Sequence, residues 1–152
     1  MKFSEIIVCD DIRREEGNKR TIVGAYAGKI LFHPSQLPIQ GQIFKPLGFY
    51  FKITKEEGDS DIDSFKGSIF HTSKGQSKEE AKKLGSIEGN INVTNYSVIT
   101  IDLVLPLNLP GEGNLYLGFQ VFKQKKLIEE IFRELIDIEI QAQPQPQTVG
   151  KN

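Results

Sequence analysis

From Val98 to Leu109 the chain alternates without a break: Ile99, Ile101, Leu103, Leu105, Leu107 and Leu109 fall in one register, and Val98, Thr100, Asp102, Val104, Pro106 and Asn108 in the other. Successive side chains of a strand point to opposite faces, so this pattern predicts a strand with one face on a core. Pro106 cannot donate to a ladder, which predicts an edge position or a fraying end there.

The same period recurs along the chain. Ile43, Leu47, Phe49, Phe51 and Ile53 predict a second long strand, and Phe65, Gly67 and Ile69, then Ile87, Gly89, Ile91 and Val93, predict shorter ones. Phe3 to Cys9 is apolar on both faces, which predicts an interior strand. Glu15 to Lys19 contains Gly17 and Asn18, which accept positive φ cheaply, so the strand-like residues Thr21 to Tyr26 should return as a hairpin. Ile30-Leu31-Phe32 stops at His33-Pro34, and the stretch to Gly41 reads as a crossing loop. Pro110 to Asn114 reads as a turn, which makes Leu115, Leu117, Phe119 and Val121 the hairpin partner of the 98–109 strand.

Two segments depart from the pattern. Ser77 and Glu80 have the spacing of a capping box and Gly85 that of a C-terminal cap, so 77–85 predicts one short surface helix. Residues 127–136 fit both periods: Leu127, Ile128, Ile131, Phe132 and Leu135 recur at helical spacing, whereas Ile136, Ile138 and Ile140 alternate. A final strand near 134–141 is favoured, with what precedes it left open. Residues 142–152, rich in glutamine and proline, predict a disordered tail after a single domain over 1–141. Short alternating segments between Gly, Pro and Asn clusters point to an all-β fold, an antiparallel β-sandwich of the Ig-like or C2-like kind with seven or eight strands. An open β-barrel is the alternative.

Composition narrows the function classes. The 152 residues carry 19 Lys and Arg against 20 Asp and Glu, so no global field favours nucleic acid or an anionic membrane. The single cysteine, Cys9, excludes an internal disulfide framework and suits a reducing compartment. The N-terminal apolar run is short and interrupted by Glu5 and by Asp10 and Asp11, unlike a signal peptide, and no stretch reaches the ~20 apolar residues that span a bilayer. A cytoplasmic protein with no cofactor is expected.

Cys9-Asp10-Asp11-Ile12-Arg13, with Gly17-Asn18-Lys19 and Ile22-Val23-Gly24-Ala25-Tyr26 after it, resembles the N-terminal signature of a family of small bacterial proteins of unknown function. Pro110-Gly111-Glu112 and Tyr116 are similar to that family's closing hairpin. The resemblance implies a bacterial or phage source and a β-rich domain, and carries over no activity or ligand.

The candidate chemistry is thin. Asp10, Asp11, Arg13 and Arg14, with Glu15 and Glu16, form a dense charge run that is either a binding site or a set of ion pairs and caps that lock the hairpin, and the second is favoured. Asp59, Asp61 and Asp63 have the spacing of a calcium loop, but Ser64 and Phe70 stand where an EF-hand needs Gly and Glu, leaving a looser calcium site or a solvated acidic loop. Cys9 with His33 or His71 makes a weak nucleophile and base pair, since the thiol lies in an apolar strand. Lysines 123, 125 and 126 and lysines 74, 78, 82 and 83 read as solvated turns rather than a nucleic-acid groove. No phosphate loop, nucleophile elbow or dinucleotide fingerprint is present in the sequence. The expectation is a non-catalytic binding or assembly module for a protein partner, with an unprotected edge strand able to pair two copies. The alternative is a ligand-binding, calcium-binding or hydrolytic domain using the carboxylates of 10–16 or 59–63.

Overall fold

The computed structural model describes residues 1–33, 43–92 and 96–141. The predicted crossing loop from Pro34 to Gly41 and the predicted tail lie outside the described residues, as does Val93 at the end of one predicted strand.

Among the described residues, ten strands form two facing sheets and a hairpin. β1 (Lys2–Cys9), β5 (Ile43–Thr54) and β8 (Val98–Leu109) make a three-stranded antiparallel sheet in the order β1-β5-β8. β4 (Lys29–Phe32), β10 (Lys126–Ile140), β9 (Gly113–Lys123), β6 (Ser64–Ser73) and β7 (Lys82–Asn90) make the second sheet in the order β4-β10-β9-β6-β7. Its pairs are antiparallel except for β4, which runs parallel to β10. β2 (Asp11–Glu15) and β3 (Lys19–Val23) form a hairpin around Gly17, where the turn is expected and whose φ of +70° is the conformation that favours glycine; the strand before the turn is 11–15, since β1 pairs with β5 instead.

The alternating residues meet between the sheets. Ile101, Leu103, Leu107 and Leu109 of β8 and Leu115, Leu117, Phe119 and Val121 of β9 are buried. Phe119 joins the layers: the ring of Phe3 meets it edge-on at 5.6 Å between centroids, and that of Phe51 lies 5.5 Å away. This is a sandwich core, dominated by side chains from the two inner faces.

Four expectations change. First, β8 and β9 are not a hairpin: β8 pairs with β5 while β9 pairs with β6 and β10, so the turn at 110–112 carries the chain from one sheet to the other. Alternation is the same in both arrangements, because each strand turns its apolar face to one core. Second, 77–85 is not an α-helix; a single 3-10 turn spans Lys78–Glu80, and 82–85 begin β7. The capping box does form, with the Ser77 N–H donating to Glu80 at 2.9 Å, but nine mostly polar residues are too few to hold a helix against strand pairing with β6.

Third, 126–140 is one strand with register shifts between Leu127 and Glu129 and between Glu134 and Ile136. Each shift flips the faces, which turns a period of two into something that resembles helical spacing. Fourth, β1 is at the edge of its sheet. Cys9 at its end is nevertheless fully buried, and the Tyr26 N–H donates to Val8 O at 2.9 Å. A Cβ on Gly48 of β5 would sit 2.7 Å from Cys9 Sγ and 3.1 Å from Ile12 Cγ1, so glycine there lets strand, thiol and hairpin close together. The break at Asp10, which makes β2 a strand separate from β1, adds to the strand number.

Candidate functional site

The hairpin charges divide between two places. Asp10, at the break after β1, receives the Tyr26 hydroxyl proton in a hydrogen bond and an ion pair from Lys45 Nζ at 2.7 Å. Those two donors, Lys45 foremost, hold its carboxyl below the usual aspartate range. Its carboxylate also fills the space that a Cβ on Gly24 would need. Asp10 thus ties β1, the end of the hairpin and β5 together. Asp11 accepts from the Ile12 N–H at 2.9 Å and from Arg13 Nε at 3.2 Å, an exposed local pair.

Arg14 goes elsewhere. In the hairpin register it stands opposite Arg20, and the hairpin lays both over the outer face of β8. There Asp102, in the polar register of the most apolar strand of the chain, takes Arg20 Nε on its Oδ2 and has Arg14 Nε 3.3 Å from the same oxygen. The Asp102 side chain is only 5% exposed, against 69% for Arg14 and 20% for Arg20. Its other oxygen, Oδ1, is buried with no hydrogen-bond partner. A buried, unused carboxylate oxygen is costly, so this group asks for a donor.

Asp102 opens on a cleft of about 280 Å³. Arg14, Arg20, Thr100 and Asp102 line its polar side, and Phe65 and Ile101 are among its apolar walls. The cleft follows residues 99–103 of β8, which faces residues 90–92 at the end of β7 across it. Of the four residues singled out from the sequence, Arg14 alone reaches this cleft. Asp102 and Arg20 were missed; the available signal was one acidic residue interrupting the outer register of an otherwise apolar strand.

The other candidates disperse. Asp59 binds the Met1 ammonium at 2.8 Å and the Glu56 N–H, Asp61 binds Lys55 at 2.6 Å, and Asp63 accepts from Ser64 and the Gln124 N–H. The three carboxylates serve separate partners instead of converging. Among the described residues no group of three His, Cys, Asp or Glu side chains is placed to hold a metal ion. Cys9 is fully buried and burial pushes its thiol up, away from nucleophilic character. His71 is buried and sits 3.2 Å from Gly111 O through Nε2. A larger hollow of about 460 Å³ lies over β6 and β7, where Lys66 and Glu88 form an ion pair at 2.8 Å. Among the described residues no helix is long and apolar enough to cross a membrane.

Neither a protein-family model nor a curated protein matches the chain. Among solved structures it is similar to a Bacteroides fragilis protein described as a candidate β-galactosidase, at 11% identity and a TM-score of 0.42. The match covers 64% of this chain and 16% of that one, so the chain spans less than a fifth of the protein it is similar to.

Proposed function

We propose that this protein is a non-catalytic binding module that engages a protein partner at the cleft beside Asp102. The observation that carries the reading is Asp102 Oδ1, a buried acceptor with no partner at the edge of an open cleft. Beside it the exposed Arg14 guanidinium brings donors. An acceptor and donors side by side complement an amide, which offers N–H and C=O together. Carboxylates of the alternative, hydrolytic or calcium-binding reading are held by partners of their own, Asp10 by Lys45 and Tyr26, Asp61 by Lys55 and Asp63 by the Gln124 N–H. A bacterial, cytoplasmic setting is part of the proposal; its support is the N-terminal resemblance and the lone buried thiol.

The test is selection of a displayed library of random twelve-residue peptides on the full chain. Binders should emerge whose affinity falls at least tenfold with R14A and with D102N. Failure to enrich any binder, or binders indifferent to both substitutions, overturns the reading.

A further inference from the structure

Two prolines determine which way the backbone of β8 faces. Pro106 of β8 lies directly opposite Pro46 of β5. In an antiparallel ladder, opposed residues alternate between pairs that exchange both N–H···O bonds and pairs that exchange none. Proline has no N–H, so the Pro46–Pro106 pair is of the second kind. The β5–β8 register runs from Thr54–Val98 to Ile43–Leu109 without a shift, so the alternation holds along its length. Thr100, Asp102 and Val104, opposite Lys52, Tyr50 and Gly48, are therefore also unbonded to β5, and their N–H and C=O groups point to the other edge of β8. The Ser4 hydroxyl agrees from the far side: it donates to Lys52 O at 3.3 Å, so that carbonyl faces β1.

Among the described residues no strand pairs with that second edge of β8. The cleft lies along it at residues 99–103. Ladder groups of Thr100 and Asp102 and the unused Oδ1 of Asp102 thus belong to one concavity, with Val104, 48% exposed, continuing the edge. Pro106 ends the row of donors, so the usable edge is short.

We propose that the partner enters as an extended segment that adds a strand to β8, pairing with Thr100, Asp102 and Val104, and carries a neutral donor side chain, an amide or a hydroxyl, beside Asp102 Oδ1. This rests on the reading of the cleft as a protein-binding site and names its mode. Backbone pairing supplies affinity in such strand addition, and one side chain supplies register. Neutral donors are specified because Arg14, Arg20 and Asp102 together carry one net positive charge, which opposes a lysine or arginine in the same place.

The experiment uses the full chain and a synthetic peptide from the displayed library described above. Val104→Pro removes an edge N–H that is outside the β5 ladder, as Pro106 already does. Strand addition predicts at least a tenfold loss of affinity in V104P. It also predicts a tenfold loss when the peptide backbone is N-methylated at alternate positions of one register, and little change in the other register. The methylated peptides leave the protein untouched, so the result stands even where V104P folds poorly. Affinity that falls with D102N but ignores V104P and both methylation registers overturns strand addition while the module reading survives. Affinity that ignores D102N and R14A as well removes both. A dimer in sedimentation that V104P dissolves without peptide assigns the edge to a second copy of the chain and overturns the proposal.

Discussion

Arg14 of β2 stands directly opposite Arg20 of β3, and both guanidinium groups turn to a single oxygen, Asp102 Oδ2. Like charges opposed across a ladder repel, so the hairpin needs an anion from outside itself. β8 provides it from more than eighty residues away. The hairpin is thereby fastened to the sheet at the same spot where the cleft opens.

The two arginines should separate in their effect on stability. Arg20 is mostly buried, so R20A leaves Asp102 short of its nearer partner and is expected to cost about 2 kcal/mol in urea unfolding. Arg14 is mostly exposed, and R14A should change stability by less than about 0.5 kcal/mol while weakening peptide binding. Equal losses in the two variants would show that Arg14, too, is a structural support.

His71 makes stability fall with acid. Burial holds its imidazole below the ordinary 6.5, so the folded chain resists the proton that the unfolded chain accepts. Protons then bind more to the unfolded state between the two values, and stability, complete above about 6.5, is lost as pH falls through the folded value. Aspartates such as Asp10, held low by Lys45 and Tyr26, lose their contribution only from their ordinary 3.8 downward. Melting temperature followed from pH 8 to pH 5 should drop in the native chain, and His71→Gln should flatten that drop.

Gly113 and Gly111 both have positive φ, at +150° and +140°, but only one is crowded. A Cβ on Gly113 would run into the Thr72 carbonyl, whereas nothing lies within 4 Å of one on Gly111. G111A should cost about 1 kcal/mol for backbone strain alone. G113A should cost at least twice that, or prevent folding, because backbone at the crossing between sheets has nowhere to go. Comparable melting temperatures for the two would show that the crossing is slack.

The turn between β9 and β10 is built from Gln124 and Lys125, at φ of +49° and +66°. Two-residue hairpin turns with positive φ at both positions favour Asn-Gly, and a lysine there carries left-handed strain. Lys125→Gly should raise stability by about 1 kcal/mol, read as an increase in melting temperature. No gain would mean that the Lys125 side chain holds the turn by contacts that offset its strain.

What the chain determined by itself is most of its strands and the side of each of those that is buried. Period-two alternation is a local property, and Ile101, Leu103, Phe49 and Phe119 sit inside because each follows it. The hairpin at Gly17 and the capping box at Ser77 were likewise legible, since both depend on a few adjacent residues. Only the tertiary structure decided that the 110–112 turn crosses between sheets, that 127–136 is extended, and that Asp102 serves Arg20. These are choices among partners far apart in the chain, and alternation is blind to them: a strand presents the same apolar face whichever neighbour it pairs with.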